Sequence, residues 1–231
     1  MNEQIPSYAR TADQVVVRQN TLIRQVYAWM GAGLAITAFM ALITLSSPAL
    51  LNAVLGNKPV FYGLMIGELA LVFILSGAIN KLSAATATLI FIAYSALNGI
   101  TLSVVTLIYT ANSITSTFVI TGGMFGAMSV YGYMTKKDLT SWGSFLFMGL
   151  IGVVIASVVN IFVGSSAVSW IISGIGVIVF TGLTAYDTWK IKELAAQGIE
   201  GRKPAILGAL TLYLDFINLF LMLLRFTGSR K

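Results

Sequence analysis

Residues 210–225 read LTLYLDFINLFLMLLR, an almost uninterrupted apolar stretch with one acid, Asp215, near its middle. With its flanks it forms an apolar run over roughly 205–225, long enough to cross the ~30 Å hydrocarbon core of a bilayer as an α-helix. The apolar residues are continuous rather than alternating, which favours a helix over a strand. The stretch therefore predicts a membrane-spanning helix.

Six more apolar runs of similar length precede this one, separated by glycines and polar clusters. They cover residues 25–47, 60–80, 86–109, 113–134, 145–165 and 167–189. We therefore predict an all-α membrane protein with seven transmembrane helices. Residues 1–24 are polar and are expected to form a cytoplasmic N-terminal segment, and residues 25–231 a single seven-helix transmembrane domain.

The composition agrees with this prediction and excludes several functions. Of the 231 residues, 57% are hydrophobic and 10% charged, whereas a soluble domain carries about 25% charged residues. The net charge is +6, but the basic residues form no patch interleaved with aromatics, so we expect the lipid bilayer and no nucleic acid as a partner. The chain has neither cysteine nor histidine, and we expect no enzyme activity and no cofactor.

The distribution of lysine and arginine predicts the topology. With the N-terminus in the cytoplasm, the inner loops hold Lys81, Lys136, Lys137, Lys190, Lys192, Arg202 and Lys203. The outer loops hold only Lys58, as the positive-inside rule requires. Seven full spans place Arg230 and Lys231 outside, whereas a re-entrant last segment returns them to the inside. We favour seven full spans because 205–225 is long enough to cross.

Glycines cluster in one of the predicted spans. Gly122, Gly123 and Gly126 lie in the stretch TGGMFGAMS. Because small residues let the backbones of membrane helices approach closely, we expect a tight helix–helix contact there.

Three acids fall within the apolar runs: Glu68, Asp187 and Asp215. A charged side chain at membrane depth costs at least ~2.5 kcal/mol on insertion scales, so such residues usually face a cavity or a partner. Asp187 lies near the inner end of the sixth run and Asp215 near the middle of the seventh. If the chain turns back at the midpoint between them, which is Gly201, the two aspartates lie at the same depth and meet.

Two carboxylates in contact cannot both ionise cheaply, so we expect them to share a proton and to titrate as a pair. Loss of the proton drives the helices apart or draws in a cation, and oxygen ligands suit Ca²⁺. Thr184, Thr211 and Asn218 lie within one turn of the aspartates and are expected to supply further oxygens. The alternative is that each aspartate bonds backbone or hydroxyl groups and only fixes helix packing.

Glu68 and Arg225 are expected to lie in the outer half of the membrane, where they could form an ion pair. Such a pair is either a gate or latch at the outer side or a static contact. Lys81 and Arg225 are alternatively expected to extend to the lipid headgroups.

The residues LTLYLDFINLFLMLLR, the preceding TAYDTWKIK (184–192) and GGMFGAMSVYGYMTKKDL (122–139) resemble the transmembrane Bax inhibitor motif family, in its bacterial inner-membrane branch. The resemblance covers nearly the whole chain after residue 25. It implies a central seventh helix surrounded by six others, and a pH-sensitive calcium leak gated by an aspartate pair at Asp187 and Asp215. Some relatives lock this pair with an arginine where this chain has Lys81, which lacks the bidentate fork of arginine.

Two functions of different classes follow. The first is a passive, pH-sensitive leak for Ca²⁺ or another cation, gated by the aspartate pair. The second is a regulator that binds other membrane proteins, since some bacterial relatives are associated with restraining a membrane-bound quality-control protease. A proton-coupled transporter is a third hypothesis, but the sequence has no inverted repeat of the kind common in such folds.

Overall fold

The computed structural model describes residues 7–231, with side chains from residue 13 onward, and this part of the chain forms eight α-helices. They are α1 (Ser7–Ser46), α2 (Pro48–Leu55), α3 (Lys58–Ala78), α4 (Ala84–Ile108), α5 (Ala111–Met134), α6 (Thr140–Val163), α7 (Ser166–Ala196) and α8 (Arg202–Thr227). All except the short helix α2 are long and apolar enough to span a membrane. The prediction of an all-α protein with seven membrane-spanning helices is confirmed.

The polar clusters between the apolar runs set where the helices begin. At five of the helices, a side-chain oxygen of the N-cap residue accepts a hydrogen bond from a backbone N–H of the first turn, which would otherwise lack a partner. The caps of α2, α3, α4, α5 and α7 are Ser47, Asn57, Ser83, Thr110 and Ser165. This local chemistry places the observed helix starts close to the predicted ones.

Helix α8 is the central helix of the bundle, as predicted. In its most apolar part 72% of the residues are buried, compared with 11% in α3 and in α6. Helices α1, α3, α4, α5 and α7 pack directly on α8, whereas α6 packs mainly against α7. Any change in the position of α8 therefore disturbs contacts with most of the protein.

The outer helices present large apolar side chains to their surroundings. Phe73 of α3 is 74% exposed, and Ile161 and Phe162 of α6 are 77% and 86% exposed. Contiguous apolar surface of this kind is unfavourable in water and marks contact with lipid or another protein. Together with the lengths of the seven helices, it makes the chain a multi-pass membrane protein.

Helix α1 is continuous across residue 24, where the polar segment was expected to end. Its 40 residues extend about 60 Å at 1.5 Å per residue, twice the thickness of the hydrocarbon core. Leu22 and Val26, on either side of that position, are both buried in the main core. Residues 13–24 thus include side chains that pack onto the helical bundle.

The C-terminus lies at the end of the bundle opposite the α7–α8 loop, because α8 is one continuous helix. Its last residues pair with the connection between α4 and α5, where the N–H of Thr110 donates to Ser229 (3.1 Å) and the N–H of Lys231 donates to Ile108 (3.0 Å). The structure therefore agrees with seven full spans and not with a re-entrant last segment.

The expected helix contact at Gly122, Gly123 and Gly126 is wrong. Among the described side chains and backbone, no atom of another helix lies within 4 Å of where a first side-chain carbon on these residues would be. A close contact on the same helix is made instead by Gly132, where such a carbon would clash with the backbone carbonyl of Ala185 in α7. The glycine pattern alone did not reveal which face of α5 meets a neighbour.

This difference between two glycines of α5 gives a matched test of the packing. We expect Gly132→Ala to destabilise the protein by about 1–3 kcal/mol, because α5 and α7 must separate to admit the methyl group. Gly126→Ala should be neutral or stabilising by up to about 1 kcal/mol, since it only restricts the unfolded chain. Thermal unfolding in detergent measures both, and equal melting temperatures for the two variants would contradict the α5–α7 contact.

Candidate ion site

The structure brings Asp187 of α7 and Asp215 of α8 together. The loop between the helices turns at Gly198 (φ 83°) and Gly201 (φ 105°), backbone conformations that favour glycine. The resulting hairpin places the two carboxyl groups within hydrogen-bonding reach of each other. Two carboxyl groups can form such a bond only when one of them carries a proton.

The two aspartates differ in their access to solvent. Asp215 is 4% exposed, and its Oδ2 has no hydrogen-bond partner among the described residues. Asp187 is partly exposed and lines a cavity of about 410 Å³. The pair therefore has one member in contact with the cavity and one behind it, enclosed by the bundle.

This cavity lies at the α7–α8 loop end of the bundle. Its wall is formed by the end of α3, the second half of α7, the first half of α8 and Leu22 of α1. Its polar lining includes Asp187, Thr211, Lys190 and Lys203. A small polar solute that enters from this end can thus reach the carboxyl group of Asp187.

The three residues expected to support the aspartates are placed around the site but bond elsewhere. Thr184, Thr211 and Asn218 each donate to the backbone carbonyl four positions earlier in their own helix, at 2.8, 3.1 and 2.8 Å. Among the described residues, none of them donates a hydrogen bond to either aspartate. Their oxygens remain available as acceptors, and Thr211 shares the cavity with Asp187.

The predicted ion pair between Glu68 and Arg225 is wrong. Glu68 instead accepts hydrogen bonds from Thr101 (2.7 Å) and Asn98 (3.2 Å), both on α4. Arg225 is exposed at the end of α8. The hydroxyl and amide groups of the adjacent helix satisfy both oxygens of Glu68, so the carboxylate does not need a cation.

Lys81 does not lock the aspartate pair in this structure. Its side chain is exposed at the end of α3. Among residues 13–231, the one ion pair joins Lys192 and Glu193 at 3.9 Å. Lys81, a possible latch from its position in the sequence, therefore does not take the place of the arginine that some relatives have there.

A second buried polar cluster, which the sequence analysis did not foresee, connects Glu68 to α8 and α1. The hydroxyl of Tyr213 donates to Oδ1 of Asn98 (2.9 Å) and lies 2.6 Å from the hydroxyl of Thr37. Asn98 in turn donates to Glu68. These groups form a chain of hydrogen bonds from Thr37 through Tyr213 and Asn98 to Glu68. The signal was present in the sequence, because a tyrosine in the middle of a buried helix needs a partner for its hydroxyl.

Comparison with known proteins identifies the family. The family model described as inhibitor of apoptosis-promoting Bax1 matches residues 19–231. The chain belongs to this family. It is similar to the inner membrane protein YbhL of Escherichia coli K12, with 55% identity over 216 residues, which are 91% of this chain and 92% of the relative.

Two more distant relatives match over similar lengths. A protein of Borreliella burgdorferi is 45% identical over 94% of this chain and 96% of its own length. A protein of Deinococcus radiodurans is 43% identical, over 96% and 94% respectively. Family membership and the seven apolar helices together support a multi-pass protein of the inner membrane, and the region matched by the family model includes both aspartates.

The Tyr213 cluster predicts a loss of stability that a matched variant can isolate. Tyr213→Phe leaves the buried Oδ1 of Asn98 without its donor, which should cost about 1–3 kcal/mol of unfolding free energy. Tyr94→Phe removes a hydroxyl that makes no hydrogen bond among the described residues, from a ring that packs edge to face on Tyr213. Thermal unfolding in detergent should show a lower melting temperature for Tyr213→Phe alone; equal effects would argue against the cluster.

Proposed function

We propose that the chain is not an enzyme but a passive, pH-sensitive leak for Ca²⁺ or a similar cation, gated by Asp187 and Asp215. The observation that carries this proposal is the contact between two carboxyl groups at the inner end of a solvent-accessible cavity, inside a membrane protein. The resemblance to the transmembrane Bax inhibitor motif family implies the same activity.

The proposed gate is the hydrogen bond between the two aspartates. While they share a proton, α7 and α8 are held together at this depth and the path beyond Asp215 is closed. When the proton leaves, two adjacent carboxylates with little water around them repel each other. That repulsion favours separation of the two helices or entry of a cation, and either event opens the path.

The oxygens around the pair suit a cation that passes through. Ca²⁺ in a stable protein site takes six to eight oxygen ligands. The described residues contain no group of three or more Asp, Glu, His or Cys side chains that could hold a metal. Two carboxylates and nearby hydroxyls are sufficient to attract a partly hydrated cation, and too few to retain it.

We also propose that the N-terminus and the α7–α8 loop face the cytoplasm. The loop end of the bundle holds Lys81, Lys136, Lys137, Lys190, Lys192, Arg202 and Lys203. The opposite end holds Lys58, Arg225, Arg230 and Lys231. The larger positive charge at the loop end supports this orientation under the positive-inside rule, and in this orientation the cavity opens to the cytoplasm.

A second candidate function, binding of another membrane protein such as a quality-control protease, has one observation in its favour. Helix α1 is longer than the membrane requires, and Val16 and Val17 near its start are 50% and 62% exposed. Exposed valines beyond the hydrocarbon core form a surface that a partner could cover.

Flux measurements test the leak. We expect Ca²⁺ entry into dye-loaded proteoliposomes to increase as the pH rises from about 5 to about 8, because the shared proton is lost. Asp187→Asn/Asp215→Asn should remove the pH dependence, since amides neither ionise nor repel. Asp138→Asn, an exposed acid in the α5–α6 loop, is the control and should retain it. Folded wild-type protein that gives no flux at any pH would refute the leak.

The second candidate predicts a different pattern. Val16→Lys/Val17→Lys should abolish co-purification with a membrane-bound protease while leaving the fold and any flux intact, because a charged pair cannot enter an apolar interface. Gln197→Lys, at an exposed residue just after α7, tests whether any added charge outside the membrane has this effect. Unchanged co-purification with the valine variant would exclude this surface.

A further inference from the structure

Lys203 connects two parts of the cavity wall, the first turn of α8 and the turn that follows α3. It lies in the first turn of α8, and its Nζ donates hydrogen bonds to the backbone carbonyls of Leu82 (2.9 Å) and Asn80 (3.2 Å). Those carbonyls belong to the turn that follows α3. Lys203 and Asn80 also both line the cavity that leads to Asp187.

The chemistry of this bridge favours a stable closed position. Among the described residues, the backbone carbonyls of Asn80 and Leu82 accept no hydrogen bond from a backbone N–H outside the helices. The ammonium group of Lys203 supplies a charge-assisted hydrogen bond to each of them, and such bonds are stronger than those between neutral groups. Since Lys203 is partly buried, breaking the bridge would leave both the charge and the carbonyls without their partners.

We propose that Lys203 is the positioning residue that controls access to Asp187: by tying the start of α8 to the turn after α3, it keeps the mouth of the cavity narrow. This inference deepens the proposed leak and takes its functional meaning from it. Lys203, rather than Lys81, is then the lysine that restrains the site, and it acts on the cavity wall without an ion pair to either aspartate. Lys203 also places a positive charge at the entrance, which lowers the local concentration of cations.

Substitutions of two other lysines distinguish the effect of the Lys203 hydrogen bonds from the effect of its charge. Lys190 lines the same cavity, but its ammonium lies 5.8 Å from the ring of Tyr186 in its own helix. Lys190→Gln therefore removes a charge from the cavity without cutting a connection between helices. Lys81→Gln removes an exposed charge beside the turn that Lys203 holds.

The absence of cysteine from the chain makes a direct test of access straightforward. Thr211→Cys introduces a single thiol into the cavity lining, and its rate of reaction with a small thiosulfonate reagent is measured in proteoliposomes. A cationic and a neutral reagent of similar size are compared. On this background we expect Lys203→Gln to increase the rates with both reagents by about tenfold, because the mouth widens when two charge-assisted hydrogen bonds are lost.

The other variants show whether a change in labelling rate comes from loss of the bridge or from loss of charge. Lys190→Gln should accelerate only the cationic reagent, Lys81→Gln should accelerate neither, and Lys203→Arg should react like the parent because it keeps the donors and the charge. Lys203→Met provides the same test if the glutamine variant does not fold. A rate for the neutral reagent that does not change on removing the Lys203 ammonium, or that rises equally in Lys81→Gln, would overturn the proposal. Because labelling reports access and not flux, this outcome is distinct from failure of the leak.

Discussion

A carboxyl group inside the hydrocarbon core cannot be hydrated by the membrane, so the protein itself must provide its partners. Asp215 lies under this constraint on the most buried helix of the fold, and its partner is another acid, Asp187. The pairing requires α7 to lie against α8 along a hairpin whose turn falls near the midpoint between the two residues. The contact between α7 and α8 thus combines a polar interaction at this depth with the apolar packing of the two helices.

The same constraint acts on a second side of α8. Tyr213 and Asp215 are two residues apart, which places them about 200° apart around the helix. Asp215 faces α7, whereas Tyr213 bonds Asn98 of α4 and contacts Thr37 of α1. Helix α8 is therefore held by polar contacts on opposite sides as well as by its apolar packing. This explains how a helix that carries an acid can still be the central one.

The parts of the structure that depend on local chemistry could be predicted from the sequence. The lengths of the apolar runs and the polar residues between them gave the seven spans, and the spacing about Gly201 predicted that Asp187 and Asp215 would be neighbours. The predictions that failed depended on which side of each helix faces its neighbour. Glu68 and Arg225 share a region of the membrane, but Asn98 and Thr101 are closer partners, and no pattern in the chain shows this. The close contact at Gly132 and the hydrogen bonds of Lys203 were not predicted for the same reason.

In the proposed leak, the groups that hold the site closed differ from the groups that release the proton. The aspartate contact would depend on a shared proton, whereas the Lys203 bridge and the Tyr213 chain join other groups. If loss of the proton opened the whole bundle, these contacts would have to break as well. Their buried polar groups would then lack hydrogen-bond partners, which is costly in free energy. We therefore propose an opening confined to the depth of Asp187 and Asp215, in which α8 stays fixed at Tyr213 and at its first turn while its contact with α7 loosens. A small, local separation of this kind fits the proposed leak better than the alternating access of a transporter.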